Sequence, residues 1–143
     1  MAELTIHHQT FIRATPERIF PMLATAEGWD AWFTDGTTLD LEAMEIRLRW
    51  KNFGPQKLTL EDGGPILLHQ PPRRFSFEWS PLKGHPTKVM IVITEVEGGS
   101  IVTLRETGYP DTEISKQVML GCATGWGEAL TLLKFYLEHG VRY

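Results

Sequence analysis

The chain contains a single cysteine, Cys122, in 143 residues. That excludes an intrachain disulfide and any metal site built from several thiolates, and it favours a reducing, cytoplasmic setting. No apolar run approaches the roughly 20 residues of a membrane-spanning helix, and residues 1–14 hold no apolar stretch of the leader-peptide type. Positive charge is in the minority: 14 Lys and Arg stand against 18 Asp and Glu, for a formal net charge of -4. A broad basic surface for nucleic acid is therefore not expected. What is present is an ordinary globular composition, 42% hydrophobic and 22% charged. The length suits one domain, residues 1–143, with a core and room for a pocket.

The last thirty residues are the most distinctive. Ile114 to Tyr143 reads as one long amphipathic helix that carries Gly121, Gly125 and Gly127 around Trp126. Each helix-interior glycine costs about 1 kcal/mol relative to alanine, so close packing or open space must account for them. The first half of this helix is slender, and the second half is bulky with Leu130, Leu132, Leu133, Phe135, Tyr136 and Leu137. Laid across a curved sheet, such a helix closes a core at one end and leaves a cavity at the other.

Upstream, Leu4 to Arg13 alternates as a first strand. Thr15-Pro16-Glu17 then starts a helix, with a capping hydroxyl, a proline at the first helical position and an acidic first turn. Ala26 to Phe33 reads as a second short helix, with Trp29, Trp32 and Phe33 at spacings that share a face, ended by Asp35-Gly36. Glu45 to Lys51 alternates strictly, setting Ile46, Leu48 and Trp50 against Arg47, Arg49 and Lys51. Asp62-Gly63-Gly64-Pro65 reads as a turn, Ile66 to Gln70 as a short strand stopped by Pro71-Pro72, and Pro81 to Pro86 as a loop. Arg74 to Trp79 turns Phe75, Phe77 and Trp79 to one side. Thr87 to Glu95 and Ile101 to Thr107 form a hairpin across Glu97-Gly98-Gly99-Ser100. In the last strand Thr103 and Arg105 share one face, so Val102, Leu104 and Glu106 share the other, and Glu106 is expected to point inward. A strand, two short helices, several antiparallel strands and a long helix make an α+β fold.

The strings Trp29-Asp30-Ala31-Trp32, Pro71-Pro72-Arg73-Arg74-Phe75, Thr87-Lys88-Val89-Met90-Ile91-Val92-Ile93, Gly98-Gly99-Ser100 and Gly125-Trp126 with Leu130 and Leu133 occur in an order that resembles one family. It is the START-related (SRPBCC) helix-grip superfamily, in the branch named after the homologue of the activator of the heat-shock-protein-ninety ATPase. The resemblance runs over nearly the whole chain. It departs in residues 41–49, which lack the paired glycine that usually precedes that strand. It implies a curved antiparallel sheet gripping the long terminal helix, with a hydrophobic cavity between them. The superfamily includes lipid and sterol carriers, plant hormone and allergen proteins, polyketide cyclases and self-resistance proteins, so the fold alone does not name the activity.

Three functions are consistent with these residues. In the first, the cavity binds a small hydrophobic or aromatic molecule, lipid-like or polyketide-like. Its walls would be Trp29, Trp32 and Phe33 from the short helix, Leu48, Trp50, Phe75, Phe77 and Trp79 from the sheet, and Val118, Cys122 and Trp126 from the long helix, with Glu106 as polar anchor; the same aromatics would equally serve as plain core. In the second, a cyclase or dehydratase uses an inward acid or base, Glu106 foremost, with His69 as a partner of undetermined direction. Cys122 lacks a neighbouring base in the sequence and is expected to pack rather than react. In the third, the chain is a protein-interaction module with a chaperone partner, using the outward basic row Arg47, Arg49 and Lys51, which is otherwise a solvated strand face. No cofactor or metal is expected. His7 and His8 point to opposite faces of one strand, and His85 and His139 belong at the surface.

Overall fold

The computed structural model describes residues 4–143. In chain order the elements are β1 (Leu4–Ile12), α1 (Pro16–Ala24), α2 (Ala26–Trp32), β2 (Thr38–Asp40), β3 (Glu45–Phe53), β4 (Leu58–Gln70), β5 (Arg74–Leu82), β6 (His85–Val96), β7 (Gly99–Tyr109) and α3 (Glu113–His139). The strands form a 7-stranded sheet in the order β1-β7-β6-β5-β4-β3-β2. Every neighbouring pair is antiparallel. The long α3 packs on β1, β7 and β5, and α1 packs on β6, so the sheet wraps α3 in a helix-grip, α+β arrangement. Among the described residues no helix is long and apolar enough to cross a membrane.

The local chemistry explains most of these elements. Thr15 accepts from the Arg18 amide at 3.3 Å and caps α1, and Thr25 accepts from Gly28 at 2.9 Å and caps α2. Such caps are worth about 1 kcal/mol each. On α3, Thr112 caps the start through the Ser115 amide at 3.1 Å. The helix stops at Gly140, whose φ of 69° lets its amide return to the Tyr136 carbonyl. The helix expected to run to Tyr143 therefore ends at His139, and the last residues leave its axis. Its buried positions Trp126, Ala129, Leu130, Leu133 and Leu137 recur at helical spacing and pack the bulky half onto the sheet. Arg18 donates to the Leu137 carbonyl at 3.2 Å and the Arg13 amide to Glu138 at 3.0 Å, which pins that half to the β1–α1 corner.

Three sequence expectations change. Residues 62–65 are not a turn but the middle of β4. The residues expected to form a loop, 81–86, belong mostly to the ends of β5 and β6, which places His85 in a strand. The short β2 was not anticipated; it pairs Thr38 with Arg47 and Asp40 with Glu45. The first change matters most. β4 pairs with β3 from Leu58 to Pro65 and with β5 only from Ile66 to Gln70, so it leaves one neighbour as it joins the other. Gly63 and Gly64 permit that parting, because a Cβ on Gly63 would lie 2.0 Å from the Ile46 carbonyl oxygen and one on Gly64 would lie 3.1 Å from Glu78. Glycine here serves close backbone approach within a strand, a role that composition alone cannot separate from a turn.

Replacement of Gly63 by alanine should force β3 and β4 apart and destabilise the fold by about 1–3 kcal/mol, read as a lowered denaturant midpoint. An unchanged midpoint would show that the strands do not approach this closely.

Candidate functional site

Where β4 parts from β5, the β3–β4 arm stands away from the rest of the sheet and faces the slender half of α3. Between them lies an open cavity of about 1180 Å³. The arm contributes Trp50, Phe53, Leu60 and Asp62, the end of β5 contributes Trp79 and Ser80, and α3 contributes Val118, Gly121, Cys122, Gly125 and Trp126. Phe33 and the residues that follow α3, Arg142 and Tyr143, border the mouth. Glycine on α3 is explained by open space. A Cβ built on Gly121 or Gly125 meets no atom within 4 Å, and one on Gly127 meets only the His8 ring at 3.8 Å.

Glu106 sets the position of α3 against the sheet. It points inward, as strand parity requires, and is fully buried. Its Oε2 accepts from Thr87 at 2.6 Å and from Tyr109 at 2.7 Å, and its Oε1 accepts from the Trp126 indole at 2.8 Å. Donors from β6, β7 and α3 thus converge on one carboxylate. Burial pushes the Tyr109 hydroxyl far above its ordinary pKa, and the neighbouring Cys122 and Glu106 push it further. Burial likewise raises the Cys122 thiol, with Glu106 and Asp62 adding to the effect. A thiol held protonated in this way is a wall rather than a nucleophile.

Asp62 is the other inward carboxylate. Its register partner is Leu48, which is fully buried, so Asp62 points to the same face. It accepts from the Gly63 amide at 2.6 Å and the Ser80 amide at 3.1 Å, and so bridges the gap that opens between β4 and β5. Burial raises its pKa above the ordinary 3.8, opposed by the Gly63 and Ser80 amides and by Arg47 and reinforced by Glu106. Once residues 62–65 are read as strand, the alternation Leu60, Asp62, Gly64, Ile66 identifies Asp62 as inward-facing; the turn-like string Asp-Gly-Gly-Pro hid it.

The expected wall residues divide. Phe33, Trp50, Trp79, Val118, Cys122 and Trp126 line the cavity. Trp29, Trp32, Leu48, Phe75 and Phe77 do not; each is at most 1% exposed and belongs to the solid core. Trp29 donates its indole N–H to the Leu23 carbonyl at 2.6 Å and Trp32 donates to Met22 at 2.9 Å, so both indoles tie α2 to α1. Phe75 packs edge-on against Phe20 of α1, 6.3 Å between centroids. Glu106 is sealed behind Trp126 and Tyr109 rather than standing in the wall, and His69 packs between Phe20 and Phe75 at 5.4 and 6.2 Å, beneath α1. The basic row is also not free. Arg49 pairs with Glu61 at 3.0 Å and Arg47 with Glu45 at 3.6 Å, while Lys51 lies at the cavity mouth.

The mouth has its own fastening. Arg142 donates to the Asp30 and Thr34 carbonyls and pairs with Asp35 at 3.2 Å. The Asp30 carboxylate organises the turn that receives it, accepting from Thr34 at 2.7 Å and from the Thr37 amide at 2.9 Å. Burial pushes the Asp30 pKa up, but the bonds from Thr37, Thr34 and Gly36 outweigh it and leave the group below its ordinary value.

A raised pKa at Asp62 means that the folded state binds its proton more tightly than the unfolded chain. Stability from this group therefore falls as pH rises from the ordinary 3.8 through the folded value. Asp62→Asn keeps an acceptor for Gly63 and Ser80 without the charge. Relative to the unsubstituted protein it should gain stability as pH rises through that window, measured as urea midpoints in acid and at neutrality. A relative loss on raising the pH would contradict the assignment.

Residues 13–138 match the model of the family described as activator of Hsp90 ATPase homolog 1-like protein. The fold is similar to that of the protein SSP2350 from Staphylococcus saprophyticus, with 27% identity, coverage of 98% of this chain and 96% of that one, and a TM-score of 0.75. It is also similar to the Aha1 dimer from Colwellia psychrerythraea, with 21% identity, coverage of 96% and 98%, and a TM-score of 0.74. A third similar structure is Ms6760 from Mycobacterium smegmatis, with 20% identity, coverage of 96% and 92%, and a TM-score of 0.77. No curated protein matches significantly. With a family match across most of its length and the sheet-and-helix grip of its structural relatives, the chain belongs to the activator of Hsp90 ATPase homolog 1-like family.

Proposed function

We propose that the protein binds a small, largely apolar and aromatic molecule in the cavity between the β3–β4 arm and α3. The observation that carries this reading is the pair Gly121 and Gly125, which spend helix stability on empty space beside three indoles, Trp50, Trp79 and Trp126. A guest that buries about 200 Å² of apolar surface there would gain on the order of 5 kcal/mol before the losses of association, so preformed walls and polar contacts must supply the rest of any affinity tighter than about 0.2 mM.

The other two readings have weaker support. A cyclase or dehydratase built on Glu106 would need that carboxylate to meet substrate, yet both of its oxygens are occupied and it lies behind the cavity wall. A chaperone-directed surface on Arg47, Arg49 and Lys51 would have to compete with Glu45 and Glu61 for the arginines. A single cysteine, Cys122, is in keeping with a reducing, cytoplasmic setting.

Gly125→Leu tests the proposal, because its side chain would enter open space on the cavity wall. The variant should remain folded, with the removal of a helix glycine contributing up to about 1 kcal/mol of stability. Titrating a panel of apolar aromatic compounds against tryptophan fluorescence should give saturable shifts in the unsubstituted protein, weakened at least about tenfold in Gly125→Leu. A flat response across the panel, or equal affinities in the two proteins, would overturn the proposal.

A further inference from the structure

The charges around the cavity are not evenly disposed. At the mouth, Asp35 is neutralised by Arg142 and Glu61 by Arg49, and the exposed Lys51 and Glu128 are of opposite sign. Deeper in, the balance changes. Asp62 accepts only from backbone amides, and among the described residues no lysine, arginine or histidine reaches it within salt-bridge distance. Glu106, behind the wall, is satisfied by two hydroxyls and an indole, all neutral. The inner end therefore holds two carboxylates and no paired cation.

The apolar surface at that end is of one kind. Trp50 and Trp79 meet edge-on, 6.2 Å apart with their planes at 87°, and Trp79 and Trp126 lie 5.4 Å apart at 49°. Non-parallel rings of this sort make an angular box rather than a closed stack, and indole faces carry the negative side of the ring quadrupole, which attracts organic cations. Burial holds the Asp62 carboxyl above its ordinary pKa, and the charge of a positive guest beside it would favour the ionised form and offset that desolvation.

We infer that the cavity selects an amine-bearing aromatic molecule, whose ammonium group sits among Trp50, Trp79 and Trp126 beside the Asp62 carboxylate. The inference rests on the cavity-binding reading above and narrows its ligand to a cation. Fatty acids and other carboxylates are disfavoured, because they would meet Asp62 and Glu106 with like charge, while Lys51 stands at the mouth and Arg47 acts on Asp62 without pairing with it.

Phenylbutylamine, phenylbutanol and phenylbutanoate share one apolar body and differ in the charge of the head. Titrated at neutral pH against tryptophan fluorescence, the amine should bind about tenfold more tightly than the alcohol, with the carboxylate weakest. In Asp62→Asn the ratio of amine to alcohol affinity should fall towards one. Equal binding of all three to the unsubstituted protein, or tightest binding of the carboxylate, overturns the charge preference and leaves cavity binding intact. An unchanged amine-to-alcohol ratio in Asp62→Asn overturns the role of that carboxylate. Failure of all three to bind overturns this inference together with the reading on which it rests.

Discussion

A carboxylate buried in an apolar interior is held there only if its lone pairs are filled, and Glu106 is the point on which this structure turns. Leaving such a group unsatisfied costs about 1–3 kcal/mol or more, so the donors that reach it are constrained in return. Thr87 supplies one from β6, Tyr109 one from the end of β7, and Trp126 one from the middle of α3. The bond from Trp126 matters most for shape, because it fixes the depth at which α3 crosses the sheet. Towards its C-terminal end α3 is bulky, and Ala129, Leu130, Leu133 and Leu137 complete the core. Towards its N-terminal end the helix is thin at Gly121 and Gly125, and held at the same depth it cannot fill the space before it. The cavity follows from a tether at one residue and a change of side-chain volume on either side of it.

The second requirement is that the sheet not follow the helix. Antiparallel strands ordinarily stay paired along their length, and β4 breaks that pattern by exchanging β5 for β3 around Gly63 and Gly64. Asp62 occupies the resulting gap and supplies the Ser80 amide with an acceptor. One carboxylate thus joins helix to sheet and the other spans the split in the sheet, and each contributes to the negative potential of the cavity floor. The architecture and the electrostatics come from the same two side chains.

Much of this was legible in the residues, and the limits have physical causes. Strict alternation in Glu45–Lys51 and Arg74–Trp79 identified two strands and their inner faces, because period-two burial leaves few other readings. Parity alone sufficed to turn Glu106 inward. The slender stretch around Trp126 pointed to open space, and Gly121 and Gly125 do face it. Depth along a strand is not legible: Leu48 and Trp50 share a face, yet one is core and the other cavity wall. The same holds for Trp29 and Trp32, since helical spacing reports a common face but not what that face meets. Asp62 was hidden because Asp-Gly-Gly-Pro has turn composition, and only tertiary contact with Ile46 and Glu78 shows why glycine is needed within a strand.

The exchange of the Trp126 indole proton with solvent tests the central claim most directly. If Trp126 donates to a sealed carboxylate, its Nε1 proton should exchange orders of magnitude more slowly than that of Trp79, which has greater exposure, and should be released only with global unfolding. Exchange of the Trp126 proton at the rate of an open indole would show that Glu106 does not hold the helix, and the account of the cavity would fail with it.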